Sequence, residues 1–494
     1  MSISYPMNGT PSAGQPSDYQ ERRLVRAVEH VSKHWLPYNP SVLESIRRGV
    51  DEGRYELGGE FLLVDLKQDL GLFSYCLREI LHERRATNAV HVLSNPEDCF
   101  EGISSAQILS LLGKAERALS SHSLKNTKDS QAAQLRFTVL SAAAAEVLAS
   151  RTELDSELAF VASLFRQLGL LLVAWNYPTV FERAQRSVSP ERTLDEELEA
   201  QLGFSPELLG HAVFKEFLPG PELEYAVMGA SAVEVPPLEI SRSSEQLAEI
   251  CRVSEVLAQA NDPERYPQAQ STWSEAREAI GKSLGADGMR LIRDAVARYS
   301  AAYREVSAPL FGELAEIDPE RKIEQARRAG TLRANPFVER CPLHIRQRLV
   351  EFYSKLHEGL DPRSAVAALL AQVIPVTGFE AGIISTIEPS RMELVPRLKF
   401  GEIQLRRVMA LRYSDRRATD DPLLAALAMP TPYVSRSEGA GRAFLVGGLG
   451  GEKAIGVFYA ECSTELLDRA EFEPLVVFKA VLRSFEDALG LKRG

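Results

Sequence analysis

The residues of this chain that could carry hydrolytic chemistry are few and widely spaced. Glu255, His211 and Asp195 are the side chains an unconventional site for metal-assisted phosphoryl hydrolysis would have to recruit. An ion that activates water for attack on phosphorus needs several His, Asp or Glu side chains converging on it. His211 stands alone on a helix with Phe214 and Phe217, which reads more readily as a packed structural histidine than as a ligand. Arg166 is more informative. It sits on a helix otherwise lined by Phe165, Leu168, Leu171 and Leu172, and an arginine there must reach solvent, a carboxylate or a ligand phosphate, because burying it unpaired is costly.

Other catalytic patterns fail on local context. Gly281-Lys-Ser283 is like the end of a P-loop, but Ala276 holds the earlier glycine position and no hydrophobic strand precedes it. Gly447 to Gly451 is glycine-rich yet leads into a strand, so it reads as a hairpin turn rather than a phosphate cradle. There is no GxSxG elbow and no HExxH zinc helix. The five cysteines, Cys76, Cys99, Cys251, Cys341 and Cys462, are scattered singly, which fits buried thiols in a reducing cytoplasm better than disulfides or a zinc site.

The elements that must position these residues fall into two textures. At 494 residues the chain exceeds what one core usually supports, so two or three domains are expected. From about residue 22 to 262 the apolar residues recur at helical spacing, as in Ser104 to Ser120, Gln131 to Ser150, Glu157 to Trp175 and Glu245 to Ala260. Residues 263–340 continue as charged amphipathic helices and read equally as a connector or dimerising stalk, or as an extra pair of helices packed on the first domain. After Pro342 come helices at Ile345 to Glu358 and Ser364 to Thr377. Strands are expected at Ala381 to Ile387, Glu393 to Phe400, Tyr433 to Ser435, Arg442 to Gly447 and Ala454 to Glu461, before a closing helix from Glu471 to Leu489. That order predicts an α+β domain with an antiparallel sheet over 341–494.

A net charge of -11 and a pI near 5.5 argue against nucleic-acid or anionic-membrane binding, which needs cationic surface. Residues 1–21 have neither a basic start nor an apolar run and read as a disordered tail. The strongest apolar run, near Leu168 to Trp175, is far shorter than the roughly 20 residues of a spanning helix, so no membrane insertion is expected.

Several segments of the first half resemble the HDOD domain, a bacterial relative of the HD phosphohydrolases. They are Trp35-Leu-Pro-Tyr-Asn-Pro40, Ser104 to Gly113, Glu157 to Leu172, Glu197 to Gly203 followed by Gly210, and Leu218-Pro219. The resemblance places the metal-binding positions of an active HD site, and here they are replaced. The first His is Leu140, the His-Asp pair is Arg166-Gln167, and no His stands near Ser205-Pro206 or within Met228 to Ser231. Only Glu255 keeps a carboxylate, and one carboxylate cannot hold a catalytic metal. If the helices keep the family arrangement, Arg166 and Glu255 form a salt bridge in place of the metal. The expected cofactor is none.

The second half resembles a GAF domain in Leu369 to Thr377, Gly378 to Ile384, Asp420 to Ala426 and Phe444 to Tyr459. GAF domains are often small-molecule sensors or dimerisation modules. No histidine follows His357 to serve a haem, and Asn335 is the last asparagine, so the cyclic-nucleotide signature of these domains is missing. The resulting expectation is a cytoplasmic, non-catalytic bacterial signalling regulator, with a helical HDOD domain and a GAF-like domain. Its partners would be proteins of a signalling pathway, with an unidentified small ligand in the GAF-like domain and a homodimer as further expectations. Two rivals stand beside it: a residual phosphodiesterase acting on a cyclic nucleotide, and a purely structural scaffold.

Overall fold

The computed structural model describes residues 18–86, 93–189, 192–217, 219–228, 242–306, 316–357, 359–403, 410–412, 421–429, 431–436, 441–450, 454–468 and 473–491. Most of the expected tail, Leu218, and residues 229–231 of the segment where a paired His was sought lie outside the described residues. The chain divides into two compact units, Met1–Ile323 and Glu324–Gly494.

The described residues of the first unit are helical apart from turns and two isolated bridges, Leu93 with Pro219 and Ser189 with Arg192. In chain order its helices are α1 (Asp18–Lys33), α2 (Pro40–Asp51), α3 (Gly59–Leu66), α4 (Leu70–Ala86), α5 (Pro96–Phe100), α6 (Ser105–Ala118), α7 (Asp129–Ala149) and α8 (Ser156–Arg166). They continue with α9 (Leu168–Asn176), α10 (Pro178–Ser187), α11 (Leu194–Leu202), α12 (Pro206–Phe214), α13 (Pro221–Met228), α14 (Arg242–Ala260), α15 (Ala269–Leu284) and α16 (Gly288–Val306). Their starts are written locally. Asn39, Asp155 and Ser205 accept hydrogen bonds from the free N–H groups of α2, α8 and α12, while Ser104 with Gln107 and Thr193 with Glu196 form capping boxes.

The centre of the unit is α7, which packs on α8, α14 and α16. It is buried on nearly every side, and its run Ala142 to Ala145 presents only methyl groups, so neighbouring backbones can approach closely. By length and composition α7 could cross a membrane, but 83% of its apolar window is buried inside the unit. The apolar surface is used by neighbouring helices.

The first part of the stretch read as connector or extra helix pair forms α15 and α16. Trp273, Ile280, Ile292, Val296, Tyr299 and Tyr303 of α15 and α16 are buried in the same core as α7 and α8. The Leu70 N–H donates to the Tyr303 hydroxyl at 2.7 Å, and Asn39 Nδ2 donates to the Ala302 carbonyl at 2.8 Å. These helices are therefore part of the first unit. The remainder of 263–340 includes the helix Pro319–Ala334, within which the boundary between the units falls.

The second unit is α+β. Strands β1 (Ala381–Glu388), β2 (Glu393–Phe400), β3 (Leu411–Arg412), β4 (Tyr433–Arg436), β5 (Arg442–Leu449) and β6 (Gly456–Ser463) form one antiparallel sheet in the order β3-β2-β1-β6-β5-β4. Alternation assigns its two faces. Ile384, Leu445, Phe458 and Ala460 pack with the helices Leu343–His357 and Pro474–Ala488, while Ile383, Val446, Val457 and Tyr459 face the helix Pro422–Ala428. The single helix expected over Ser364 to Thr377 is broken. An α-helical turn gives way to a π-helical stretch at Leu369–Val373 and a 3-10 turn at Ile374–Val376. Pro375 has no N–H for the regular ladder and crowds the carbonyl four residues back, which forces the wider bonding before it.

Candidate functional site

The segment Glu157 to Trp175 is expected as one helix and is two, α8 and α9, bent by 46°. The break falls at Gln167, which ends one helix and begins the next and is itself buried. Close backbone packing fixes where α9 goes. A Cβ at Gly169 would stand 1.9 Å from the Pro206 carbonyl oxygen, and one at Gly210 would stand 2.9 Å from the Gly169 nitrogen. Only glycine at both positions lets α9 and α12 approach this closely. On the other side, the Ser141 and Ser163 hydroxyls share a hydrogen bond of 2.8 Å between α7 and α8. Leu140, beside Ser141, is buried in the apolar core.

Arg166 leaves the last turn of α8 at this bend. Its Nη2 and Nε donate to Glu255 Oε2 of α14 at 2.9 and 3.2 Å, and its Nη1 donates to the Ala226 carbonyl of α13 at 3.1 Å. Three helices are thus tied to one guanidinium. Both charged side chains are about a quarter exposed, at 26% and 24%. Burial works against the Arg166 charge, and Glu255 together with Cys251 and Glu207 more than offsets it, so the guanidinium is held even more firmly protonated than usual.

The same neighbourhood gathers the other candidate side chains. His211 Nε2 lies 3.8 Å from Glu207 Oε1 one turn earlier on α12. Burial lowers the His211 pKa, the Glu207 carboxylate opposes that, and the Arg166 and Lys215 charges add to the lowering. Burial raises the Asp195 carboxyl to about 6, helped by the negative charges of Glu255 and Glu207. Glu207 was missed at the sequence level; its spacing of four residues before His211 on one helix face was the available signal. A divalent metal of the HD type does not fit this donor set. Leu140 is buried and carries no donor atom, Gln167 is buried and offers only a neutral amide, and a fixed guanidinium lies against Glu255. Among the described residues no three His, Cys, Asp or Glu side chains are grouped so as to hold a metal ion.

A second polar constellation escaped sequence reasoning. Lys67, only 1% exposed, ends α3 and pairs through Nζ with Glu146 of α7 and, at 2.7 Å, with Glu157 of α8. The Tyr299 hydroxyl donates to the Glu146 carboxylate at 2.7 Å, and the Lys67 ammonium lies 4.3 Å from the Phe160 ring centre. Burial raises the Glu157 carboxyl, and Lys67 partly offsets that. The sequence signal was a lysine at the end of the mostly apolar Phe61 to Leu66 segment, too common a pattern to identify a buried ion pair.

Residues 102–219 match the family model of the HDOD domain, a span that includes Leu140, Arg166 and Gln167 but not Glu255. No curated protein is matched. Among solved structures, a protein of Shewanella amazonensis SB2B named as a phosphohydrolase is similar at 13% identity and a TM-score of 0.30, over 58% of this chain and 98% of its own. A likeness that loose carries no argument about fold or chemistry.

Proposed function

We propose that this chain is a non-catalytic regulator or scaffold of bacterial signal transduction, acting in the cytoplasm through binding rather than turnover. The observation that supports the reading is the Arg166 guanidinium closed on Glu255, two residues that the resemblance to the HD phosphohydrolases sets at metal-binding positions. An HDOD match over 102–219 agrees with a regulatory role at the level of the family. The second unit is read as a GAF-like sensor or dimerisation module whose ligand or partner changes the surface that the helical unit offers. Such a switch needs differential affinity of that ligand for two arrangements of the chain.

A second reading, a residual metal-dependent phosphohydrolase, is favoured by one observation: Asp195, Glu207, His211 and Glu255 share one neighbourhood. The two are separated by assaying untagged protein and a Glu255→Ala variant with manganese(II), magnesium(II) or iron(II), on bis(p-nitrophenyl) phosphate and on cyclic dinucleotides. The regulator reading expects no hydrolysis above buffer in either protein. Hydrolysis by the parent that disappears in the variant would replace it with the enzyme.

A further inference from the structure

We propose that the cleft between the 3-10 turn Arg54–Leu57, α3 and the start of α6 docks a basic segment of a partner protein: one large apolar side chain enters the cleft, and flanking Lys or Arg side chains meet its acidic rim. Tyr55, Leu62, Ile103 and Ile108 wall the cleft, and Gly58, Gly59 and Gly102 line it with bare backbone. Its volume is about 210 Å³. That is below the roughly 300–1,000 Å³ of sites for cofactors and drug-sized ligands, and it is roughly the space of one Leu, Met or Phe residue. Tyr55, Leu62 and Ile108 belong to the core, and the Tyr55 hydroxyl donates to Asp65 Oδ2 at 2.7 Å. The walls are therefore fixed before anything binds, which lowers the cost of ordering.

The occupant is set by charge. Glu56 lines the cleft, and Glu60 folds back over Gly58, where a Cβ would stand 2.9 Å from its Oε2. A Cβ at Gly59 would stand 2.4 Å from the Phe100 carbonyl oxygen, so α3 starts against the end of α5, which carries Glu97 and Asp98 and is followed by Glu101. All five carboxylates are exposed. Of the arginines nearby, Arg54 is shared by Glu52 and Asp65, and Arg84 donates to the Glu101 carbonyl oxygen. The Glu97 carboxyl is raised by burial first and then by the charges of Asp155, Glu60 and Asp98, which Lys67 only partly offsets. A partner's cations relieve that crowding, whereas among the described residues no three carboxylates are grouped so as to hold a metal ion.

The charge of the whole unit agrees. Residues 1–323 carry 47 Asp and Glu against 33 Lys and Arg, whereas residues 324–494 carry 21 against 24. The acidic field of the first unit steers a basic partner toward it. The helix that walls the cleft also leaves Phe61 and Val64 43% and 55% exposed, so the partner meets further apolar surface on α3. One pocket-filling anchor supplies most of the affinity in such an arrangement, and the rim charges supply specificity and speed of encounter. The proposal goes beyond the regulator reading. None of the residues around Arg166 lines the cleft, so failure of this surface leaves that reading to the hydrolysis assay.

The test selects random dodecapeptides on immobilised full-length protein, then measures binding of the synthesised consensus peptide by fluorescence anisotropy. Ile103→Trp fills the cleft, and Glu56→Lys with Glu60→Lys reverses the rim. Glu264→Lys with Glu278→Lys makes the same charge change at two other exposed positions. The expected consensus has one Leu, Met or Phe flanked by Lys or Arg. Its affinity should fall at least about tenfold for Ile103→Trp, for the rim reversal and for a peptide whose anchor is changed to Ala, and at most about twofold for the control reversal. If circular dichroism shows Ile103→Trp misfolded, Ile103→Ala is read in its place, with a loss of at least about threefold. No enriched sequence, a consensus without Lys or Arg, unchanged affinity in the cleft variant or the anchorless peptide, or equal weakening by the two reversals would overturn the surface. Self-association of the parent that Ile103→Trp abolishes would also overturn it, by replacing the partner with a second copy of the chain.

Discussion

The Arg166 guanidinium closes on a single oxygen of Glu255 with two N–H groups, Nη2 at 2.9 Å and Nε at 3.2 Å, and so joins α8 to α14. Removing one partner leaves the other charge partly buried and unpaired. Because each side chain is about a quarter exposed, the full penalty of a buried pair is discounted. Arg166→Met should cost about 2 kcal/mol in urea unfolding. The double variant Arg166→Met with Glu255→Leu should recover at least half of that, since replacing both partners removes the orphaned charge. Additive losses in the double-variant cycle would mean the pair is not coupled.

Asp195 gives a pH prediction with a definite sign. Its carboxyl is raised from the ordinary 3.8 to about 6, so between those values the folded state binds the proton more tightly than the unfolded chain. Stability from this group therefore falls as pH rises through that window and is lowest above it. Asp195→Asn should gain on the order of 1–3 kcal/mol over the parent at pH 7, and the gain should vanish near pH 4. Thermal unfolding of both proteins from pH 4 to 7 checks it; a constant difference between them would contradict the raised carboxyl.

Gly169 tests whether the frame of the HD-like segment is kept for packing. A methyl group there would meet the Pro206 carbonyl oxygen at 1.9 Å, and backbone on both sides leaves no flexible side chain to move. Gly169→Ala should destabilise by about 3 kcal/mol or more and push α9 from α12. Urea unfolding that leaves the variant within experimental error of the parent would show that the bend adapts freely.

These residues also show what the sequence could and could not reveal. The apolar spacing of 22–262 gave an all-helical unit because an amphipathic helix writes its buried face every three to four residues. The strand alternation after Ala381 likewise anticipated the antiparallel sheet. Boundaries were less legible: the last strand was expected at Ala454 to Glu461 and runs Gly456–Ser463, because turn residues and strand ends share the same composition. The two-residue β3 was too short to leave a pattern. At the site, Arg166 stood out as a charge among apolar neighbours. Lys67 with Glu146 and Tyr299 did not, because their meeting depends on three helices far apart in sequence.

Lys67 supplies a further test. It is the cation between two carboxylates in a nearly closed interior, so Lys67→Met should cost about 3–5 kcal/mol at pH 7 by leaving Glu146 and Glu157 without a counter-charge. Burial already raises the Glu157 carboxyl, and without the lysine protonation would favour the folded state more. The deficit should therefore shrink as pH is lowered from 7 toward 5. A deficit independent of pH would indicate lost packing of the lysine stem and not lost charge.

The last prediction concerns where the first unit ends. If α15 and α16 were a free connector, a chain ending at Asp262 would fold as well as one ending at Ile323. Trp273, Ile280, Ile292, Val296, Tyr299 and Tyr303 are all buried against the helices that precede them. At about 1.5–3 kcal/mol for each large apolar side chain, their removal forfeits on the order of 10 kcal/mol, as much as the whole stability of a typical domain. The Leu70 N–H and the Asn39 amide would also lose Tyr303 and the Ala302 carbonyl as acceptors, at about 1–3 kcal/mol for each donor left buried. The chain 18–262 should therefore be insoluble or lack a cooperative unfolding transition, whereas 18–323 should unfold cooperatively. Tyr303→Phe in the full chain is the mild version of the same test, with an expected loss of about 1–3 kcal/mol. Cooperative unfolding of 18–262 at the same urea midpoint as 18–323 would return α15 and α16 to the role of a connector.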